Sequence, residues 1–339
     1  MRAAAADLSG GWRTAYPGAT AALRGAVALA LVLLGLKLPA LIGDPFYLGL
    51  LINAMLLGVS AAAIGFLAHQ SGLMMFGAAA FTGGATYIYA ISLTQFGLGV
   101  LTASVVTLVG STLVCAIVGA VIVRARPLPF AMLTLALAQL LRSVVMVTDF
   151  RPFTGGDDGL PLSFEGTLFG VDQARMSRPE GFWPFAWLAF CAVLGLVWAV
   201  GRSPLGRTLR AIKANEERMR FSGFDTYTPR VLAFTISGFV AAVAGWLSGL
   251  YAGFASPELL DFSTGGAALV ATLIGGAASL SGPPLGALLY VIGQDRFGAS
   301  GNLELLTGVG VAFVIYLFPD GLTGFLRRIY ARATKGAPP

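Results

Sequence analysis

The side chains best suited to ionic chemistry lie in one short segment, residues 201–224, "GRSPLGRTLRAIKANEERMRFSGF". Eight charged residues fall within it: Arg202, Arg207, Arg210, Lys213, Glu216, Glu217, Arg218 and Arg220. Long runs of Leu, Val, Ala, Phe and Gly with scarcely a charge lie on both sides of the segment. A dense, mostly basic group of this kind can form ion pairs, so we ask first what this segment contacts.

Several other chemistries are missing from the chain. None of the three lysines follows a glycine, so the phosphate-binding loop Gly-x-x-x-x-Gly-Lys-Ser/Thr is absent. The chain is therefore not expected to hydrolyse ATP by that route. His69 is the only histidine, and Cys115 and Cys191 both lie in apolar runs. Neither a metal site nor a disulfide is predicted.

The composition places these residues in a membrane protein. The chain is 56% hydrophobic and 11% charged, whereas a soluble domain carries about 25% charged residues. Several apolar runs approach the roughly 20 residues that cross a bilayer. A net charge of +6 would suggest nucleic acid as a partner of a soluble chain. Here it indicates the bias of Lys and Arg toward cytoplasmic loops.

Ten apolar stretches predict an all-α polytopic membrane protein with about ten transmembrane helices. The predicted spans are residues 22–42, 46–68, 71–94, 98–123, 128–148, 182–201, 230–254, 262–279, 283–294 and 302–318. The short late spans are candidates for half-helices that do not cross the bilayer fully. The transmembrane domain is therefore predicted to cover residues 22–318.

The distribution of charge orients these spans. Basic clusters precede the first span and follow the fourth, sixth and tenth, which puts all of them on one side, the cytoplasm. Residues 1–21 and 319–339 are then cytoplasmic tails, and residues 202–229 form a cytoplasmic loop. The acidic loop 149–181 belongs on the opposite side.

The cytoplasmic segment has the pattern of an amphipathic helix. If residues 205–220 form one helix, Leu205, Leu209, Ile212 and Met219 share a stripe, and Arg207, Arg210, Glu217 and Arg218 lie away from it. Gly223 is the predicted C-terminal stop. Such a helix could adsorb to anionic lipid, but Glu216 points into the stripe. A carboxylate there favours docking onto another protein, which would supply a cationic partner.

Glycines interrupt two of the spans. Gly83 and Gly84 occur in "FTGGA" (81–85), and Gly265 and Gly266 occur in the similar "STGGA" (263–267). Interrupted spans at corresponding positions of two halves suggest an inverted repeat around a central pathway. The same glycines could simply allow close packing of helices.

These segments together resemble a known family. The quoted basic segment, "GLMMFGAAAFTGGATY", "AMLTLALAQLLRSVV", "FTGGDDGL" and the ending "LFPDGLTGF" are similar to the permease subunits of branched-chain amino acid ABC transporters. The similarity is greatest to the longer of the two permeases that such systems carry, and it covers about residues 50–325.

The resemblance implies the ABC importer permease fold and a multi-subunit assembly. The expected partners are a second, homologous permease that completes a heterodimer, two cytoplasmic ATP-binding subunits, a periplasmic substrate-binding protein, the lipid bilayer and a small-molecule substrate, with no nucleic acid. ATP and Mg would bind the ATPase subunits and no cofactor would bind this chain, which is not itself an enzyme. The location would be the bacterial inner membrane.

The resemblance also implies roles for particular residues. The basic segment would be the coupling helix in a cleft of an ATPase, through Leu205, Arg207, Leu209, Arg210, Ile212, Lys213, Glu216, Glu217 and Met219. The translocation pathway would involve Met75, Ala78, Thr82, Gly83, Gly84, Gln139, Arg142, Thr264, Gly265 and Gly266. The turn expected to meet the binding protein, and to be flexible, comprises Thr154, Gly155, Gly156, Asp157 and Asp158.

Departures from the family pattern affect the substrate. Met75 and Ala78 replace a hydroxyl and an imidazole, and Gln139 replaces a glutamate. If these positions line the pathway, it is more apolar than usual. An aromatic, aliphatic or aryl-carboxylate substrate then becomes more credible, and specificity for branched-chain amino acids becomes less secure. Arg142 either lines the pathway or extends to the outer interface.

Two functions from other classes stay open at this point. An ion-coupled secondary transporter of small organic solutes usually carries carboxylates within its spans, and no Asp or Glu lies in the middle third of any predicted span. Backbone carbonyls can nevertheless coordinate sodium. An intramembrane enzyme would need a polar catalytic cluster at membrane depth, and the sequence offers only scattered hydroxyls.

Overall fold

The structure is a computed structural model that describes residues 30, 32–163, 167–168, 170–277, 279, 281–298, 308 and 321–325. It divides into two compact units, Met1–Asp44 and Pro45–Pro339. The described part of the first unit contains the short helix α1, Leu38–Ile42, which ends at Gly43 in the left-handed conformation.

The second unit contains helices α2 to α13. They are α2 (Pro45–Ser71), α3 (Ala78–Thr94), α4 (Val100–Ile122), α5 (Pro127–Met146), α6 (Arg151–Thr154), α7 (Gln173–Met176), α8 (Pro179–Arg202), α9 (Pro204–Ala214), α10 (Glu216–Phe221), α11 (Tyr227–Ala252), α12 (Phe262–Gly275) and α13 (Gly282–Gly298). Single turns of 3-10 helix cover Thr148–Phe150, Gly156–Asp158 and Pro257–Leu260. Four two-residue strands are β1 (Leu160–Pro161), β2 (Thr167–Leu168), β3 (Val171–Asp172) and β4 (Phe254–Ala255).

The prediction of an all-α polytopic membrane protein is confirmed. Among the described helices, α2, α4, α5, α8 and α11 are long and apolar enough to cross a bilayer. Eight of the ten predicted spans coincide with a described helix. Of the predicted span 22–42 the structure describes residues 30 and 32–42, and of the predicted span 302–318 it describes residue 308 alone. Most residues of both predicted tails also lie outside the described residues, so the count of ten stays a prediction.

Two of the predicted spans form shorter helices than expected, but the Thr-Gly-Gly glycines do not interrupt them. Gly83 and Gly84 lie inside α3, and Gly265 and Gly266 lie inside α12. The predicted span 71–94 is helical only from Ala78, because residues 72–77 precede α3 without regular structure. The predicted span 262–279 is a helix of 14 residues, about 21 Å long, which is shorter than the roughly 30 Å of a bilayer core.

The two Thr-Gly-Gly motifs lie near the starts of α3 and α12. An added Cβ on Gly265 would meet Ala79 at 3.1 Å, and one on Gly83 would meet the carbonyl oxygen of Leu259 at 2.6 Å. Along α3 the contacts run from Ala79 to Gly83, and their partners run in the opposite chain direction, from Gly265 to Leu259. The start of α3 and the segment that enters α12 therefore pack antiparallel, and the inverted repeat stays a prediction.

Close packing around α11 forms the core. This helix packs against α2, α3 and α4, and Gly245 lies so near Thr82 that an added Cβ would overlap its carbonyl. Hydroxyl groups join the helices: Thr86 Oγ1 donates to the Gly245 carbonyl at 2.7 Å, and Ser237 Oγ donates to the Ala63 carbonyl at 2.8 Å. Small residues and interhelical hydroxyl bonds are the usual means of packing in a membrane.

The acidic loop 149–181 is tied to the end of α11. Strand β1 pairs antiparallel with β4, with Leu160 opposite Ala255. Thr154 Oγ1 donates to the Val145 carbonyl at 2.8 Å, and Gly155, Gly156 and Gly159 have positive φ. The turn that the sequence predicts to be flexible is thus a tight turn held at both ends, because its glycines adopt left-handed conformations that other residues avoid.

Candidate functional site

The basic segment forms two helices at the end of the bundle, α9 and α10. Ser203 caps α9 by accepting from the Gly206 N–H at 3.4 Å, and Pro204 occupies the first turn. Asn215 is extended, with φ −163° and ψ 100°, and its Oδ1 accepts from the Arg218 N–H at 2.8 Å. The prediction of one helix over 205–220 is therefore wrong.

The break at Asn215 has a local cause. An asparagine side chain competes with helical hydrogen bonding and caps a new helix instead. Glu216 and Glu217 follow in the first turn of α10, where carboxylates favour the positive end of the helix dipole. The sequence "NEE" is itself typical of a helix start, with a capping asparagine followed by two acids, but a projection of 205–220 as one helix does not take it into account. Gly223, with φ 79°, follows the end of α10 as predicted.

The apolar stripe of α9 is already covered by the chain itself. Leu209 and Ile212 are fully buried, and α9 packs against α2, α8 and α11. Leu205 and Met219 are half-buried. This stripe is therefore not the docking surface that the projection suggested, because these side chains anchor α9 to the transmembrane helices.

Two cations of α9 fix it to the ends of those helices. Arg210 Nη1 donates to Gln70 Oε1 at 2.9 Å and to the Gly201 carbonyl at 2.7 Å. Lys213 Nζ donates to the Ala68 and His69 carbonyls at 2.8 and 3.1 Å. Cations at the C-termini of α2 and α8 complement the helix dipoles. Burial lowers the pKa of the Lys213 ammonium.

Glu216 has its cationic partner within this chain. Its carboxylate accepts two parallel bonds from Arg230, with Nη1–Oε1 at 2.9 Å and Nη2–Oε2 at 2.8 Å. Arg220 adds a contact at 3.2 Å. The expectation that another protein supplies the partner is corrected by this geometry. The pair joins α10 to the first turn of α11.

The outer surface of the helix pair carries aromatic side chains that the sequence analysis did not select. Phe221 is 90% exposed and Phe224 is 57% exposed. Arg207, Glu217 and Arg218 are exposed on the same helix pair. An exposed aromatic group among charges is typical of a surface that contacts a protein. The sequence feature that could have indicated this surface is Phe221, an aromatic residue directly after the mostly charged run 216–220.

A cavity of about 250 Å³ lies within the bundle, between α2, α3, α11 and the start of α12. Thr82, Gly83 and Thr264, which the sequence analysis placed on the pathway, line it. Five further polar residues, which the sequence did not predict, also line it: Asn53, Ser60, Thr86, Ser248 and Tyr251. Its surface combines hydroxyl and amide groups with small apolar side chains, which suits a small neutral or zwitterionic solute.

A second cavity of about 420 Å³ adjoins the first and shares Asn53 and Tyr251 with it. Gln294 and Asp295 contribute its polar lining. Asp295 lies just beyond the predicted span 283–294, so no carboxylate enters the middle of that span. Asn53 of α2 and Tyr251 of α11 therefore form a wall common to the two cavities.

The remaining predicted pathway residues do not line these cavities. Met75 and Ala78 are fully buried, Gly84 faces Leu141, and Gly265 packs on Ala79. An added Cβ on Gly266 would meet no atom within 4 Å. Gln139 and Arg142 are half-buried on α5, and Arg142 Nε is buried without a hydrogen-bond partner among the described residues. Their roles stay predictions.

The predicted docking turn presents one unpaired acid. Asp158 forms an ion pair with Arg151 at 2.9 Å, and both groups are exposed. Asp157 is also exposed and has no ion-pair partner among the described residues. Thr154 and Gly156 are buried and shape the turn.

Comparison with known proteins agrees with this architecture. LivM of Escherichia coli strain K12, a high-affinity branched-chain amino acid transport system permease protein, is 26% identical over 278 residues, which are 76% of this chain and 65% of LivM. LivH of Salmonella typhimurium, of the same description, is 26% identical over 206 residues, or 59% of this chain and 67% of LivH.

A third relative is named for a different solute. LsrC of Yersinia pseudotuberculosis, an autoinducer 2 import system permease protein, is 29% identical over 171 residues, or 48% of this chain and 45% of LsrC. No solved structure matches this chain.

The match that decides the family extends over most of the sequence. The profile described as "Branched-chain amino acid transport system / permease component" matches residues 18–318 and so includes both cavities and the helix pair α9–α10. This chain belongs to the family of branched-chain amino acid transport system permease components.

Proposed function

We propose that this chain is the membrane-spanning permease subunit of a binding-protein-dependent ABC importer. It forms half of a translocation pathway in the bacterial inner membrane, with both termini in the cytoplasm. A second permease forms the other half, and a periplasmic binding protein delivers the solute. Two cytoplasmic subunits bind ATP and Mg and perform the hydrolysis.

The observation that carries the proposal is that α2 and α11 line the cavity and also hold the cytoplasmic helix pair. Asn53 and Ser60 of α2 and Ser248 and Tyr251 of α11 face the cavity of about 250 Å³. At their other ends, α2 accepts hydrogen bonds from α9 and α11 holds Glu216 through Arg230. Movement of the pair is therefore transmitted to the cavity walls by rigid helices.

The surface offered to an ATPase subunit is the outer side of α9 and α10. Phe221 and Phe224 supply apolar anchors, and Arg207, Glu217 and Arg218 supply a charged rim. Buried aromatic anchors provide most of the binding energy in such contacts. Leu209, Ile212, Arg210 and Lys213 then act inside the chain, because they bind the pair to the transmembrane helices.

The substrate class follows from the cavity chemistry and from the relatives together. The cavities carry neutral hydroxyl and amide groups and one carboxylate, Asp295, in the larger cavity. A branched-chain or other amino acid, or a related small organic acid or amide, fits this lining. Relatives named for different solutes indicate that family membership fixes the class of permease more firmly than the solute.

Reconstitution tests the proposal. The purified chain alone should show no ATP hydrolysis. Proteoliposomes that contain this chain, the second permease and both ATPase subunits should take up branched-chain amino acid when ATP is inside and loaded binding protein is outside. Uptake driven by a proton or sodium gradient without ATP would instead identify a secondary transporter.

A further inference from the structure

A crevice of about 190 Å³ opens between the ends of α2 and α8 that adjoin α9. Its inner part is apolar and is lined by Ala62, Gly65, Phe66, Val197 and Pro283. Positions 62, 65, 66 and 69 lie on one face of α2 because they follow the helical repeat. The lining therefore changes along that single face, from small apolar residues to a histidine about 10 Å further on.

The outer part of the crevice is basic. His69, Gln70, Arg202 and Arg210 line it. Arg210 makes both of its internal bonds through Nη1, so Nε and Nη2 keep hydrogens to donate. Gln70 is only 5% exposed; its Oε1 accepts from Arg210, and its Nε2 has no partner among the described residues.

No acid neutralises this charge within the part of the chain that the structure describes. The three ion pairs there involve Glu216 and Asp158 with other arginines. No Asp or Glu is among the residues that line the crevice. The guanidinium of Arg202 instead lies 4.1 Å from the ring centroid of Trp198.

Trp198 indicates what the crevice opens toward. Its indole is 50% exposed and lies one turn from the end of a membrane-spanning helix. Tryptophan is enriched where a span meets the lipid headgroups. The crevice therefore has an apolar part at the depth of acyl chains and a basic part at the depth of headgroups.

We propose that this crevice binds the phosphate group of an anionic lipid of the cytoplasmic leaflet, with the start of an acyl chain in the apolar part. The leaflet assignment rests on the orientation proposed above. Arginine binds phosphate oxygens through paired N–H groups, and basic pockets between transmembrane helices on the cytoplasmic side suit anionic headgroups. Arg202 and Arg210 hold the phosphate, and Gln70 Nε2 adds a neutral donor.

Two other ligands fit the crevice less well. An amino acid zwitterion would bring an ammonium group into a lining that has no carboxylate. A free phosphate ion would use the basic part and leave the apolar part unfilled. A lipid bound here would also contact the attachment of α9, because Arg210 joins α9 to α2 and α8.

Lipid titration of the purified full-length chain tests the proposal. Native mass spectrometry should show one saturable phosphatidylglycerol adduct and no comparable adduct with phosphatidylcholine. Arg202→Gln should weaken phosphatidylglycerol binding about fivefold, the usual effect of one basic residue at an anionic membrane surface. Arg207→Gln removes the same charge from an exposed position outside the crevice and should leave the affinity unchanged.

A second measurement does not depend on the folding of an arginine variant. Brominated phosphatidylglycerol should quench the fluorescence of the wild-type chain more than brominated phosphatidylcholine does at equal mole fraction, and Trp198→Phe should remove the difference. Equal losses in the two arginine variants would overturn the proposal. So would equal affinity for both lipids, or displacement of the lipid by inorganic phosphate, which would make the crevice a site for a free anion.

Discussion

At the scale of single residues, the carboxylate of Glu216 determines how α10 is held. Its two short bonds to Arg230 have the parallel geometry that makes arginine–carboxylate pairs strong. The side chains are 14% and 30% exposed, so the pair is neither a surface contact nor a fully buried one. Its function is to fix α10 against α11.

A double-mutant cycle should measure this contact. Glu216→Gln and Arg230→Gln should each destabilise the chain, and the double variant should lose less than the sum. The expected coupling energy is about 1–2 kcal/mol, between the values for exposed and buried pairs, read from the unfolding of the solubilised chain. Arg220→Gln is the control, because Arg220 is 67% exposed and its contact is longer. A coupling energy of zero would show that the pair does not hold α10.

Asp225 should give the start of α11 a measurable pH dependence. Hydrogen bonds from Thr228 and from the Tyr227 N–H hold the pKa of the Asp225 carboxyl below its usual value of 3.8. Stability from this group is therefore present above pH 3.8 and is lost as the pH falls through the lower, folded-state pKa. The difference in Tm between the wild type and Asp225→Asn should shrink over that acidic range. A difference that stays constant would contradict the assignment.

At the scale of elements, two adjacent glycines of α3 differ in how closely a neighbouring segment approaches them. An added Cβ on Gly83 would meet the Leu259 carbonyl oxygen at 2.6 Å, whereas one on Gly84 would meet only a Leu141 methyl group at 3.9 Å. Gly83→Ala should destabilise the chain by about 1–3 kcal/mol, as overpacking does. Gly84→Ala should be neutral or stabilise it by up to about 1 kcal/mol. Thermal unfolding of the two variants is the measurement, and equal Tm values would refute the contact.

The tip of the helix pair supports a prediction about assembly. Phe221→Ala should lower the affinity for the ATPase subunits at least about tenfold, the effect of losing an interface anchor. The measurement is co-purification with tagged ATPase. Phe96→Ala is the matched control, because Phe96 is 70% exposed in the connection between α3 and α4, away from α9 and α10. Unchanged co-purification of the Phe221 variant would show that the ATPase subunits do not dock on this surface.

At the scale of the whole molecule, the proposed orientation puts the acidic turn on the side where we expect the binding protein. Asp157→Asn should weaken the stimulation of ATP hydrolysis by loaded binding protein and should flatten its dependence on salt. Exposed charges are screened over about 8–10 Å at physiological ionic strength. Asp158→Asn should do less, because Asp158 already pairs with Arg151. If both variants keep the wild-type salt dependence, the turn only connects helices.

The sequence by itself determined the class of molecule. Sparse charge and apolar runs of about 20 residues favour a bundle of helices in a membrane, because a helix satisfies its backbone hydrogen bonds within its own segment. The order of motifs indicated the permease family. The Thr-Gly-Gly motifs lie within α3 and α12 and do not interrupt them. Thr82, Gly83 and Thr264 line one cavity, and their role in a pathway stays a prediction.

Only the tertiary structure decided which groups meet. A helical projection of residues 205–220 predicted that Glu216 pairs with a cation of another protein. The projection of one helix cannot show that Arg230, on α11, is the partner. It also left Leu209 and Ile212 available for docking, because burial by α2, α8 and α11 depends on packing between distant segments. Asn53 and Tyr251 line both cavities also because of packing between distant segments. Their hydroxyl and amide groups carry no local signal, and the packing of α2 against α11 is what brings them to one cavity.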